Sequence, residues 1–103
     1  MPRIEACKEA DLSLNSCKRI DLDGRSPIGI YRLEDGFYAI DDICTHGRAL
    51  LSAGDVKDGV VICAFHGGSF DIRTGNAIDR PCIVGVKTYP VVIEGDTVWL
   101  ELP

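Results

Sequence analysis

Two short segments near the middle of the chain each set one cysteine beside one histidine. They are C-T-H at 44–46 and C-A-F-H at 63–66, with sixteen residues between His46 and Cys63. His46 and His66 are the only histidines in the sequence. Read singly, Cys44 and Cys63 are buried thiols and the histidines are satisfied structural residues. Read together, two matched half-sites of mixed donors demand a fold that brings two loops to one point. Such a donor set suits a tetrahedral zinc site. It better suits a [2Fe-2S] centre with cysteines on one iron and histidines on the other. Short zinc-finger spacing pairs Cys with Cys and His with His, unlike the mixed pairs here. Colour separates the two, because zinc has a filled d shell and an iron–sulfur centre absorbs strongly.

The pattern around the half-sites is β. Residues 27–33 (P-I-G-I-Y-R-L) and 37–40 (F-Y-A-I) flank E-D-G and read as a hairpin. V-V-I-C at 60–63 is a strand running into the second half-site. S-F-D-I at 69–72 is a short strand before the turn-like R-T-G-N. Y-P-V-V-I and T-V-W-L-E-L lie either side of E-G-D as a second hairpin, with Val98 and Leu100 alternating against Trp99 and Glu101. Only 7–14 suggests a helical turn. Gly54 and Gly59 are turn formers between the half-sites. The whole, residues 1–103, reads as a single all-β domain, with a β base and an inserted loop subdomain of approximately 41–74 that unites the two pairs.

At 103 residues the core is small, and a bound metal centre would add folding energy. The formal net charge of −5 and the lack of a Lys/Arg stripe exclude nucleic-acid binding. The one adjacent basic pair, Lys18–Arg19, reads as a solvated patch, and the acidic pairs Glu34–Asp35 and Asp41–Asp42 as a surface able to steer towards a basic partner. No apolar run is long enough for a membrane span, and the N-terminal residues do not read as a secretion signal. Five cysteines, an odd number, favour a reducing compartment, so the expected location is cytoplasmic. Cys7, Cys17 and Cys82 have no histidine at ligand spacing and read as free thiols, some of them buried; a disulfide among them stays open.

The motif C-x-H followed by C-x-x-H, here C-T-H-G-R-A-L-L at 44–51 and C-A-F-H-G-G-S-F-D at 63–71, resembles that of Rieske-type [2Fe-2S] ferredoxins. The likeness is greatest to the ferredoxin component of bacterial aromatic-ring-hydroxylating dioxygenase systems. T-G-N-A at 74–77 and the ending K-T-Y-P-V-V-I-E-G-D-T-V-W-L extend it along nearly the whole chain. The resemblance implies a Rieske iron–sulfur fold, an antiparallel β base with the cluster loops at one tip. It implies one [2Fe-2S] cluster, with Cys44 and Cys63 as ligands of one iron and His46 and His66 of the other. Gly47, Gly67 and Gly68 would let backbone N–H groups approach the sulfides.

Departures from the family pattern matter too. Ala64 stands where many relatives have Pro. Neither loop has the extra Cys that clamps high-potential relatives with a disulfide. Gly68 and Phe70 occupy positions where those relatives place hydroxyl donors to sulfur, so a potential at the low end of the Rieske range is expected. The resemblance further implies a one-electron carrier, not an enzyme, between an NAD(P)H-dependent ferredoxin reductase and a terminal aromatic-ring-hydroxylating oxygenase. The chain itself has no dinucleotide fingerprint and no second metal-ligand set. His46 and His66 would be the exit edge, and Arg48, Leu50, Leu51 and Phe65 would form an apolar docking rim for small, transient contacts or, more simply for some of them, shield the cluster. A small redox subunit of a nitrite-reductase-like enzyme is the alternative, and a structural zinc interaction module a weaker one.

Overall fold

The computed structural model describes residues 3–43, 50–63, 68–79 and 84–102. Among them, regular structure is β apart from single 3-10 turns at Glu9–Asp11 and Leu51–Ala53. In chain order the strands are β1 Arg3–Lys8, β2 Cys17–Ile20, β3 Ile28–Leu33, β4 Gly36–Asp41, β5 Asp55–Lys57, β6 Val60–Ile62, β7 Ser69–Asp71, β8 Ala77–Asp79, β9 Thr88–Tyr89, β10 Val91–Glu94 and β11 Thr97–Glu101. They form a first sheet β1-β11-β10, a middle sheet β2-β3-β4-β9 and a third sheet β5-β6-β7-β8. Every pairing is antiparallel, as the all-β expectation required.

The middle sheet is covered on both faces, which explains why β3 reads as an almost continuous apolar run. Ile28 and Ile30 of β3 and Ala39 of β4 pack with Ala6, Cys7, Leu12, Val98 and Leu100 towards the first sheet. Tyr31 and Leu33 of β3 and Ile40 of β4 point the other way, packing with Val61, Phe70 and Ile72 towards the third sheet. This is the period-two alternation of a strand serving two cores. Arg32 shares the Ile30 face. Its Nη1 donates to the carbonyls of Glu9 (3.1 Å) and Leu12 (2.9 Å), fixing the N-terminal turn over the sheet.

The expected hairpins form. Leu33 pairs with Gly36 across Glu34-Asp35, and Glu94 with Thr97 across Gly95-Asp96. Val98 and Leu100 are fully buried, while Trp99 and Glu101 are partly exposed. Asp58 and Gly59 link β5 to β6 with φ of 52° and 77°, both in the left-handed region that a two-residue type I′ hairpin turn requires. After β7, Asp71 Oδ1 accepts the N–H groups of Arg73 (2.8 Å) and Thr74 (3.1 Å), which builds the R-T-G-N turn. The helical signal at 7–14 resolves into the 3-10 turn Glu9–Asp11, with the Lys8 N–H bonded to Asp11 Oδ2 at 3.1 Å.

Five strands lie outside the sequence expectation, β1 among them. β2, β5, β8 and β9 are only two to four residues long and carry polar residues, too little to show alternation. The Lys18–Arg19 pair lies on β2. Lys18 Nζ donates to the Ala6 carbonyl at 3.1 Å and Arg19 Nε pairs with Asp21 at 3.2 Å, so the patch also ties the middle sheet to the first. Among the described residues, no helix is long and apolar enough to cross a membrane.

Candidate metal centre

Alternation in β6 places the second half-site. Val61 is buried and Ile62 exposed, and the same alternation carries Cys63, 1% exposed, into the core between the middle and third sheets. The Cys63 N–H donates to the Gly68 carbonyl at 2.7 Å, so the chain leaves and returns at one point. Its thiol is in no disulfide among the described residues. Phe70, one residue into β7, is fully buried in this core. Ser69 beside it is buried as well.

The first half-site follows β4 and has a comparable base. Ile43 and Leu50 form an isolated antiparallel bridge, and the Leu51 N–H donates to the Asp42 carbonyl at 2.7 Å. Between the members of that bridge lie Cys44 and His46. These two, with His66, Gly47, Arg48, Phe65, Gly67 and Cys82, lie outside the described residues. Leu51 does not belong to a docking rim. The 3-10 turn Leu51–Ala53 folds it inward, and it is fully buried against the middle sheet.

Asp42 departs from expectation in the same way. It does not extend an acidic surface: it is 0% exposed, the one fully buried charged side chain among the described residues. Its Oδ1 accepts the Ser52 N–H at 2.6 Å and its Oδ2 the Ser52 hydroxyl at 2.5 Å. Burial pushes the Asp42 carboxyl above its usual range, and the two bonds from Ser52 work against that. The signal for it was present in the strand pattern. Tyr38 and Ile40 face the third sheet, and Asp42 continues that parity.

The wall behind Asp42 is tight. A Cβ at Gly29 would lie 2.9 Å from Tyr31 Cε1 and 3.4 Å from Asp42 Oδ1, so this strand position must stay bare. The Tyr31 hydroxyl is buried with no hydrogen-bond partner among the described residues. Cys17 lies opposite Tyr31 in the β2–β3 ladder and directs its Sγ at the Ser52 carbonyl, 3.5 Å away. Burial, then the nearby Asp42 charge, pushes the Cys17 thiol up; burial does the same to Cys7. Both therefore stay protonated at neutral pH. They are free thiols, and Cys7 is buried.

The donors present fit an iron–sulfur group. Cys63 supplies a buried, unbridged sulfur at the mouth of a loop closed by its own backbone, and the sequence places a second thiolate and two imidazoles in the paired loops. Among the described residues alone, no three His, Cys, Asp or Glu side chains come together as a metal site, since three of the four candidates lie outside them.

Comparison with known proteins defines the class: the chain belongs to the Rieske [2Fe-2S] domain family, whose pattern matches residues 3–90. It is similar to the 3-phenylpropionate/cinnamic acid dioxygenase ferredoxin subunit of Escherichia coli (strain K12), at 39% identity over 100% of this chain and 96% of that one. Its structure resembles a chain of the complex of reduced oxygenase and oxidised ferredoxin in carbazole 1,9a-dioxygenase. The TM-score is 0.93 at 35% identity, covering 95% of this chain and 91% of that chain. It also resembles the ferredoxin of Sphingomonas yanoikuyae B1, with TM-score 0.92, 33% identity, and 99% and 100% covered.

Proposed function

We propose that Cys44 and Cys63 ligate one iron and His46 and His66 the other iron of a single [2Fe-2S] cluster, held in a loop subdomain of about residues 41–74. The observation that carries this assignment is Cys63, a buried and unbridged sulfur at the closed base of the second loop. When bound, the cluster supplies one-electron chemistry at a centre whose ligands need not exchange. The chain is a Rieske-type ferredoxin subunit of an aromatic-ring-hydroxylating dioxygenase system. It carries electrons between a reductase and the terminal oxygenase and is not itself an enzyme. We infer further that the reductase is NAD(P)H-dependent, that the setting is cytoplasmic, and that partners meet the protein at the His46 and His66 edge. Both partners must be released in turn, which favours small, transient contacts.

Replacing His46 or His66 by Ala should abolish the normal cluster, whereas Cys7→Ala should keep it at about two irons and two sulfides per chain. Iron and acid-labile sulfide assays, with electron paramagnetic resonance before and after dithionite, check this. Loss of the cluster in Cys7→Ala with retention in His66→Ala would sink the assignment. Gly68 and Phe70 bring no hydroxyl to the two positions where high-potential relatives have one, and Ser69 stands between those positions, so the midpoint potential should lie at the low end of the roughly −150 to +300 mV Rieske range. A redox titration reading above about +150 mV contradicts that loop argument.

A further inference from the structure

The first cluster loop is closed by something stronger than its single bridge. Ile43 and Leu50 share one isolated β-bridge, a weak closure for a segment that must hold two ligands. One residue out from Ile43, the Asp42 carboxylate grips both donors of Ser52, two residues out from Leu50, at 2.6 and 2.5 Å, while the Leu51 N–H returns to the Asp42 carbonyl. Three bonds thus join the outgoing and incoming strands of the loop, two of them to a carboxylate. Hydrogen bonds to charged groups are the stronger kind. The carboxylate is also built into the sheet: it is completely buried, and bare Gly29 leaves room for it beside the Tyr31 ring. A buried carboxylate is costly unless its partners are fixed, so its place here calls for a reason.

We propose that Asp42 is a positioning residue of the redox centre: through Ser52 it fixes the base of the loop carrying Cys44 and His46, and it sets a negative charge at that base. The inference rests on the ligand assignment above. Two consequences are separable. Clamping determines how long the loop retains its metal centre. Charge opposes the addition of an electron nearby, so it holds the midpoint potential down.

Asp42→Asn keeps the shape, removes the charge and can accept only one of the two Ser52 donors. Ser52→Ala keeps the charge and the N–H bond but removes the hydroxyl. In both variants the visible absorbance should bleach faster than in wild type under excess chelator, about threefold or more for Ser52→Ala and about tenfold for Asp42→Asn. The midpoint potential should rise in Asp42→Asn and move less in Ser52→Ala, with g-values altered most in Asp42→Asn. Should Asp42→Asn fail to fold, Ser52→Ala alone decides through its bleaching rate. Wild-type bleaching, potential and g-values in the folded variants would overturn the inference, provided that the wild type is loaded and Cys44→Ser is not. A Cys44→Ser protein that keeps the wild-type cluster would instead overturn the ligand assignment.

Discussion

Tyr89 sits among three charged side chains near the start of the first cluster loop. Its hydroxyl donates to Asp41 Oδ1 at 2.5 Å and accepts from Arg25 Nη2 at 2.7 Å, and the Arg25 guanidinium lies 5.2 Å from the ring centre. Lys87 Nζ is 6.0 Å from the same ring. Burial first, and then the bond to Asp41, push the Tyr89 hydroxyl up to about 12. An unfolded tyrosine titrates near 10. The fold therefore favours the neutral phenol: its contribution is complete below about pH 10, fades as pH rises from there, and is gone above about 12. Tyr89→Phe should cost about 1 kcal/mol near neutrality. The wild-type advantage should then shrink across that alkaline window, as read by urea unfolding at a series of pH values. A difference that stays constant up to pH 12 would mean that the hydroxyl's bonds are not its source. Tyr89 was legible only as a strand tyrosine, and for Asp42 the parity of β4 signalled an inward face but no partner. Their roles arise from long-range pairing, which sets Ala39 against Tyr89 and brings Asp42 back to Ser52.

At the scale of elements, legibility was greatest where alternation was clear. The β3–β4 and β10–β11 hairpins have four to six residues a strand, enough for alternation to declare a face, and the chain folds them as read. The β5–β8 sheet is built from strands of three residues, where a period of two cannot be distinguished from chance; β6 and β7 were read as strands, β5 and β8 were not. Its order depends on what lies underneath, the Tyr31, Leu33 and Ile40 face of the middle sheet. The long hairpin offers a direct test of burial along one face, because Val91 and Ile93 of β10 lie opposite Leu100 and Val98 of β11. Leu100 is fully buried between β1 and β10, whereas Ile93 on β10 is 39% exposed. Leu100→Ala should lose about 2–5 kcal/mol of unfolding free energy. Ile93→Ala should lose about 1 kcal/mol or less. Chemical denaturation measures both, and equal losses would mean that full burial at Leu100 contributes no more than the part-exposed site of Ile93 on the same face.

Taken whole, the molecule has two cores on opposite faces of one sheet, and they differ in what supports them. The core between the first and middle sheets is closed by long strands and by Arg32 bonded to two carbonyls. The core under the third sheet is roofed by three-residue strands. Beyond packing, a surface pair joins it to the middle sheet, with Arg73 Nη2 2.8 Å from Asp35 Oδ1 and Arg73 Nε 3.1 Å from Asp35 Oδ2. The sequence revealed the two half-sites and the family they resemble, because four spaced donors are a local pattern. It could not reveal this asymmetry, which depends on where strands far apart in the chain come to lie. Metal ligation adds folding energy where the ligands are, so the centre should stabilise the weaker half. Removing iron and sulfide should therefore speed amide exchange in β5–β8 by about a hundredfold or more. Exchange in β1, β3, β4, β10 and β11 should stay within about tenfold of the loaded protein. Hydrogen exchange followed by mass spectrometry on the two forms reads this directly. An equal loss of protection across all three sheets would show a single cooperative unit, with the base depending on the cluster as much as the tip does.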